Sequence, residues 1–186
     1  MKKFSLLIGL FFLWVPVASA WDLEVGVQRS KPQLGYHSQT YTGGSTDLTF
    51  VPNGESTIFG QSAVIGVGVD QWLVEVEQAR YEANTMFFDA QGLAVALNPS
   101  FQEDRYGVFF RQERELAGFF IGAGMENYLE QFSYLGEVYQ NKGQSLYYKG
   151  GLTLIFGALR VRADQIFSKI GEHNLKTSSI GLMIQF

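Results

Sequence analysis

Apolar and polar residues alternate with a period of two in eight separate segments of this sequence. In the first segment, Leu23, Val25 and Val27 alternate with Glu24 and Gln28. This period is typical of a β-strand with two unlike faces. The segments lie near 21–28, 57–69, 72–77, 103–112, 117–126, 145–156, 159–168 and 179–186. Beyond residue 20 no apolar run is long enough for a spanning helix, so the sequence excludes a helical membrane protein.

The connections between these segments alternate between short and long. Tight turns are expected at 70–71, at 112–115 and at Gly157, and long links near 31–56, 84–102 and 131–143, with a shorter one at 169–174. Such spacing predicts an all-β, eight-stranded, antiparallel up-and-down barrel with its short turns and both termini at one end. Long loops at the other end are the segments that tend to carry function.

The first twenty residues read MKKFSLLIGLFFLWVPVASA. Lys2 and Lys3 precede an apolar run of about a dozen residues, and Ala18-Ser19-Ala20 is a small-residue cleavage pattern. We therefore expect a cleaved secretory signal peptide at 1–20 and a single barrel domain at 21–186.

Composition narrows the class of protein further. The 186 residues are 17% charged and 15% aromatic, with a formal net charge of −4 and no Cys. The acidic balance argues against a nucleic-acid binder. The missing Cys excludes disulfides, thiolate metal sites and a cysteine nucleophile.

Alternation alone leaves open which face of the barrel points inward. A secreted, lipocalin-like barrel would bury its apolar face around a small ligand. The membrane alternative is favoured because the polar face is rich in Gly, which suits a narrow interior. The apolar face also carries aromatic residues expected at membrane interfaces: Trp21, Trp72, Tyr106, Tyr148 and Phe186.

In the membrane orientation, five acidic and five basic residues point into the barrel. They are Glu24, Glu75, Glu77, Glu126 and Asp164, and Arg105, Arg111, Lys149, Arg160 and Arg162. Enclosed charges must be paired, so this balanced set predicts a polar plug that fills the lumen. The alternative is a gated ion path through the same pairs.

Two groups of neighbours are expected within this set. Arg105, Glu126 and Lys149 lie toward the loop side of adjacent strands, and Glu75 and Arg111 should face each other near the turns.

The sequence ends with Ile180, Leu182, Ile184 and Phe186 at alternate positions. With the seven strands before it, this ending resembles the small eight-stranded outer-membrane barrels of Gram-negative bacteria, the class that contains the OmpA transmembrane domain, OmpX, NspA and PagL. The resemblance implies location in the outer membrane, contact with its lipid and lipopolysaccharide, and a C-terminal signal for the assembly machinery. It also implies a monomer with a structural or surface-recognition role through its loops, whose ligand is unknown.

Some members of that class modify lipid A, so an enzyme remains an alternative, as does a narrow solute channel. The two histidines, His37 and His173, both fall in predicted loops, where solvated side chains are the simplest interpretation. The His-x-Ser motif of the class's deacylase is not matched. Gln165 stands where the His would be, and Ser168 is three residues after it instead of two. No cofactor or metal is expected, since no ligand spacing is present.

Overall fold

The computed structural model describes residues 21–34, 39–41, 48–52, 57–88, 94–170 and 173–186. The expected signal peptide at 1–20 lies outside these residues. No helix in the described part is long and apolar enough to cross a bilayer. The strands are β1 (Trp21–Leu34), β2 (Gln39–Tyr41), β3 (Leu48–Pro52), β4 (Thr57–Val69), β5 (Trp72–Phe88), β6 (Ala94–Leu97), β7 (Ser100–Glu113), β8 (Ala117–Tyr134), β9 (Glu137–Phe156), β10 (Leu159–Ile170) and β11 (His173–Gln185).

Eight of these strands close into an antiparallel barrel, which confirms the predicted fold class. The hydrogen-bonded order is β5-β4-β1-β11-β10-β9-β8-β7, and β7 pairs with β5 to complete the ring. The three short strands lie at the loop end, where β3 and β6 both pair with the end of β5. Closure leaves the barrel no open edge, which a sheet in lipid requires because every backbone group must be paired there.

The register around the ring fixes how far the strands tilt. The residue paired with Phe156 of β9 can be followed from strand to strand through β10, β11, β1, β4, β5, β7 and β8. The path returns to β9 at Leu146, ten residues before Phe156 in the sequence and nearer the loop end of the barrel. Ten residues are about 33 Å of strand, and eight strand spacings are about 38 Å. The strands therefore tilt by about 40° from the barrel axis, within the range of small membrane barrels.

Two of the three predicted tight turns are confirmed at one end of the barrel, and the third lies at 114–116, between Glu113 and Ala117, instead of at 112–115. Val69 pairs directly with Trp72 across Asp70-Gln71, and Phe156 pairs with Leu159 across Gly157-Ala158. The first residue of each of these turns has a positive φ, 54° at Asp70 and 65° at Gly157. Asp and Gly tolerate this left-handed conformation better than most residues, so the local sequence suits the turn.

At the other end, the strands run further than predicted. The expected link at 131–143 is instead a continuous β8–β9 hairpin, whose two-residue turn lies at Leu135-Gly136 between Tyr134 and Glu137. The expected link at 84–102 likewise includes the end of β5, all of β6 and the start of β7. In the β8–β9 hairpin the residues continue the strand period, but the apolar side chains change from the outer face at Met125 to the inner face at Tyr128 and Phe132, which hides the alternation.

This change of face is clear on β5. Near the turns, Glu75 points inward at 1% exposure and Val76 outward at 38%. Further along, Tyr81 points inward at 2% exposure and Arg80 is exposed. An outer surface that is apolar over one part and polar beyond it marks the border between lipid and water, because the outside of the barrel meets each in turn.

Aromatic side chains ring the outside of the barrel at its turn end. The Trp72 and Phe110 rings lie 5.9 Å apart, and Phe110 and Phe119 lie 6.3 Å apart. Trp21 and Phe186 at the two termini are 67% and 74% exposed. Rings of this kind are typical of the membrane interface of a barrel.

An ionic network as the candidate functional site

All ten charged residues predicted for the lumen lie inside the barrel, and none is more than 6% exposed. They are Glu24, Glu75, Glu77, Arg105, Arg111, Glu126, Lys149, Arg160, Arg162 and Asp164. Strand parity explains this placement, because each lies on the face opposite the outward apolar residues. Ion pairs join them in three tiers along the barrel axis.

The tier nearest the turns is centred on two arginines. Arg111 pairs with Asp22 and, at 2.8 Å, with Glu24 on β1. Arg160 pairs with Glu113 and lies 3.6 Å from Glu24. Glu24 therefore accepts a hydrogen bond from Arg111 and also lies within ion-pair distance of Arg160.

The predicted pairing of Glu75 with Arg111 is wrong. On β5 and β7, Glu75 lies opposite Gly107, and the backbone N–H of Arg111 donates to the carbonyl of Gln71 at 2.7 Å. Arg111 is thus four residues nearer the turns than Glu75, and its guanidinium reaches β1 instead. The stagger between strands, which the sequence does not specify, caused this error.

The middle tier is built around Lys149 on β9. Its ammonium pairs with Glu75 and, at 2.9 Å, with Glu77. Glu75 also pairs with Arg162, whose other guanidinium nitrogen lies 2.7 Å from Glu24. This tier therefore connects three acidic residues of β5 and β1 to cations of β9 and β10.

The upper tier surrounds Arg105 on β7. Its guanidinium pairs with Glu126 at 3.2 Å, with Glu77 at 3.0 Å and with Glu103. Ser145 donates to the second oxygen of Glu126 at 2.7 Å. Because Glu77 contacts both Arg105 and Lys149, the upper and middle tiers form one continuous network.

The interior is more acidic than the predicted balance of five and five. Glu103 and Glu130 are also buried, which makes seven buried carboxylates against five buried cations in the described residues. Asp22 and Glu113 add partly buried carboxylates near the turns. Sequence reasoning missed these residues, although strand parity on β1 and β7 was sufficient to place Asp22, Glu103 and Glu113 on the inward face.

Aromatic rings fill the space beside the middle tier. Arg162 lies over the Phe120 ring at 4.5 Å, and Lys149 lies 5.8 Å from the ring centroid of Phe109. These rings fit because the neighbouring strands carry glycine. A Cβ added at Gly124 would lie 2.7 Å from a ring carbon of Tyr147, closer than real contacts allow.

Above the ionic tiers the interior is mostly apolar, although buried Glu130 lies opposite Phe101 there. Ile58, Ala79, Tyr81, Ala83 and Phe101 form one buried cluster there. Further along the β8–β9 hairpin, Phe132 and Tyr139 stack with their centroids 5.4 Å apart. The described interior is therefore filled with charged pairs in its lower part and with packed rings and aliphatic side chains above them.

The residues considered for catalysis are only partly described by the structure. His37 lies outside the described residues, and His173 begins β11, paired with Ile170. Gln165 is exposed on the outer face, whereas the hydroxyl of Ser168 is buried on the inner side. Among the described residues, no three His, Asp or Glu side chains are arranged to hold a metal ion.

The four residues of the predicted assembly signal all point outward on the last strand. Ile180, Leu182, Ile184 and Phe186 are 48–74% exposed. The backbone N–H of Phe186 also donates to the carbonyl of Leu23 at 2.9 Å, at the seam where the last strand meets the first.

Comparison with solved structures places this architecture among bacterial outer-membrane barrels. OprG of Pseudomonas aeruginosa aligns with a TM-score of 0.64 at 9% identity, covering 90% of this chain and 97% of OprG. Neisserial surface protein A aligns with 0.60 at 10% identity, covering 91% and 99%. Ail, the attachment invasion locus protein of Yersinia pestis, aligns with 0.59 at 16% identity, covering 89% and 98%.

No protein-family model and no curated protein matches the sequence. The structural likeness, at such low identity, establishes the fold alone. This chain has the fold of a Gram-negative outer-membrane β-barrel, with exposed apolar residues on its outer surface and a network of buried charges in its interior.

Proposed function

We propose that this chain is an integral outer-membrane protein whose interior is a fixed ionic plug, and that it acts at the cell surface through the outward ends of its strands. The plug is not a path for solutes or ions. The observation that carries this proposal is the continuous network from Arg111 through Glu24, Arg162, Glu75, Lys149 and Glu77 to Arg105.

A network of this kind opposes conduction for two reasons. Eight strands leave a lumen that side chains fill, and here the rings of Phe109, Phe120 and Tyr147 occupy space between the charges. Each cation is also held by more than one carboxylate, so opening a path would leave buried charges unpaired, at a cost of several kcal/mol.

Planar-bilayer recording tests the plug. We expect the purified barrel to show no steady conductance in molar salt. The variant Lys149→Ala, Arg162→Ala removes both cations of the middle tier. It serves as a control with an opened lumen and should show brief conductance steps. A large, stable conductance of the wild-type barrel would contradict the proposal.

The β8–β9 hairpin is the candidate recognition element. Its first strand, β8, continues for nine residues beyond Met125, where the regular apolar series on its outer face ends, and these residues span about 30 Å. The turn that follows begins at Leu135, which is 86% exposed. Leu135 has a φ of 50°, and an exposed branched residue in this conformation costs about 1 kcal/mol relative to Gly or Asn. A residue held in a costly backbone conformation at the tip of a projection is a candidate for a contact surface.

Truncating this hairpin tests the recognition role. Replacing residues 131–140 by a two-residue Asn-Gly turn removes the projection but keeps the barrel strands, so the protein should remain folded. Bacteria that display the truncated chain should lose adherence to other cells relative to bacteria that display the full barrel. Bacteria displaying an Asn141→Ala variant are the matched control, and equal adherence by all three would refute the recognition role.

A further inference from the structure

A shallow groove of about 580 Å³ runs along the outside of the barrel over β9 and β10. Its floor is at Gly150, which faces outward in the apolar part of β9 and has no side chain. Ile121, Leu152, Ala163 and Phe167 border the groove. Because the surrounding surface faces lipid, the groove has the position and the lining to hold an acyl chain.

Polar groups follow immediately at the upper end of this groove. Gln165 lies opposite Gly150 on β10, and Ser178 lies opposite Gln165 on β11. Both are exposed on the outer face. Their amide and hydroxyl groups are placed to hydrogen-bond the ester or amide linkages that join acyl chains to a lipid headgroup.

Cations form a third layer just above. Lys176 lies opposite Phe167, with its ammonium 5.8 Å from that ring, and Lys31 lies opposite Ser178. Lys169 and Arg29 complete the layer on the outer faces of β10 and β1. No described residue on the outer faces of β10, β11 and β1 is a carboxylate, and the ion pairs of the described residues include none of these four cations.

The opposite side of the barrel carries fewer cations at this level, where Arg80 on β5 is exposed on the outer face. On β7, β8 and β9 the residues just above the apolar surface are instead Asp104, Asn127 and Gln144, and they bond with neighbouring amides. Gln78 donates to Asp104 at 3.0 Å, and Gln144 donates to Asn127 at 2.8 Å. The cations are therefore concentrated on β1, β10 and β11, although Arg80 and Lys142 are exposed cations on other strands.

We propose that the groove, Gln165 with Ser178, and the cations Lys31, Lys169 and Lys176 form one binding site for a phosphorylated, multiply acylated glycolipid of the outer leaflet. An acyl chain lies in the groove, its linkage meets the polar pair, and a phosphate sits among the ammonium groups. The inference rests on the proposed function, because it requires the outer face of the barrel to contact lipid. Charge-assisted bonds to phosphate are the strong contacts of the site.

The test measures lipid binding by native mass spectrometry of the barrel in phosphatidylcholine nanodiscs. The probe is bisphosphorylated, hexa-acylated lipid A. The triple variant Lys31→Gln, Lys169→Gln, Lys176→Gln should bind it at least about tenfold more weakly, since three charge-assisted contacts are removed. Lys142→Gln, an exposed cation on the β8–β9 hairpin, is the control and should bind like the wild type.

A second variant tests the groove itself. Gly150→Leu fills it without disturbing the barrel, because a Cβ at Gly150 meets no atom closer than 3.6 Å. We expect this variant to weaken lipid A binding, whereas Ala63→Leu on the outer face of β4 should have no effect. Inorganic phosphate, which has no acyl chain, should not displace the lipid at millimolar concentration.

Folding of every variant is checked by its heat-dependent mobility on a gel. If the wild type fails to form a barrel in lipid, the proposed function itself fails. If all variants fold and bind lipid A like the wild type, only the lipid site is refuted. Displacement of lipid A by phosphate alone, with no effect of Gly150→Leu, would also refute it, because the site would then recognise a free anion.

Discussion

At the scale of single residues, the interior depends on carboxylates that each serve two cations. Glu75 contacts Lys149 and Arg162, and Glu77 contacts Lys149 and Arg105. Each of the five buried cations in turn contacts at least two carboxylates, which is how the described interior holds seven buried carboxylates with five buried cations. Such sharing makes the network sensitive to the loss of one member, because a remaining buried charge then lacks compensation.

The pair Arg105–Glu126 offers a clean test at this scale. Glu126→Lys places two cations together in a buried site and should reduce the free energy of unfolding by about 3–5 kcal/mol, measured by urea titration in lipid vesicles. The double variant Arg105→Glu, Glu126→Lys should recover part of this loss. Glu77 and Glu103 also contact Arg105, so recovery should be incomplete.

Asn127→Lys on the outward face of the same strand is the matched control and should change stability little. If single and double reversals both unfold like the wild type, the buried pairing is not what holds this part of the barrel.

Among the strands, the main difference between prediction and structure is the position at which a strand ends. The predicted strands end close to the point where the outward residues become polar, for example at Glu77 on β5 and Glu126 on β8. The structure continues both strands well beyond these residues, to Phe88 and Tyr134. Hydrogen bonding between strands continues across the membrane border because it does not depend on which face is apolar.

The last strand is the element with a second predicted role, as an assembly signal. Deleting Phe186 removes its backbone bond to Leu23 at the seam and the terminal aromatic ring. We expect the amount of folded barrel in the outer membrane to fall severalfold, measured by heat-dependent gel mobility of membrane fractions. Trp21→Ala, which removes an equally exposed ring at the same end, is the control.

The purified Phe186 deletion variant separates assembly from stability. If it refolds in detergent as well as the wild type but is depleted in cells, the residue acts as a signal. If Trp21→Ala and the deletion deplete the barrel equally in cells, the terminal residue has no special role.

At the scale of the whole molecule, the tilt of the strands sets the height of the lipid-facing surface. On β9 the apolar outward residues run from Leu146 to Phe156, about 33 Å along the strand. A tilt of about 40° reduces this to about 25 Å along the barrel axis, the height of the apolar band on known outer-membrane barrels. The strand register, the tilt and the hydrophobic pattern therefore all give an apolar surface of the same height.

This agreement predicts where a charge is tolerated. Leu182, 53% exposed, lies midway along the apolar part of β11, between Phe186 and Ser178. Leu182→Arg should reduce the free energy of unfolding in lipid vesicles by about 2–4 kcal/mol, because the guanidinium must enter hydrocarbon. Gln33→Arg, on the outer face of β1 above the apolar part, should leave it nearly unchanged. Equal effects of the two substitutions would mean that the apolar surface does not face lipid.

Local sequence patterns were sufficient to predict the eight strands of the barrel, the tight turns at 70–71 and at Gly157, and the inward position of the ten lumen charges. Each of these follows from local information: a period of two, turn-forming residues and strand parity. The sequence also placed Arg105 beside Glu126, but the other contacts between charges depend on the three-dimensional register. Arg111 reaches Glu24 instead of Glu75 because the ten-residue offset around the ring, which no single strand encodes, sets the height of every side chain. The groove at Gly150 and the cations above it likewise depend on register, because they bring together residues of β1, β9, β10 and β11 that are far apart in the chain.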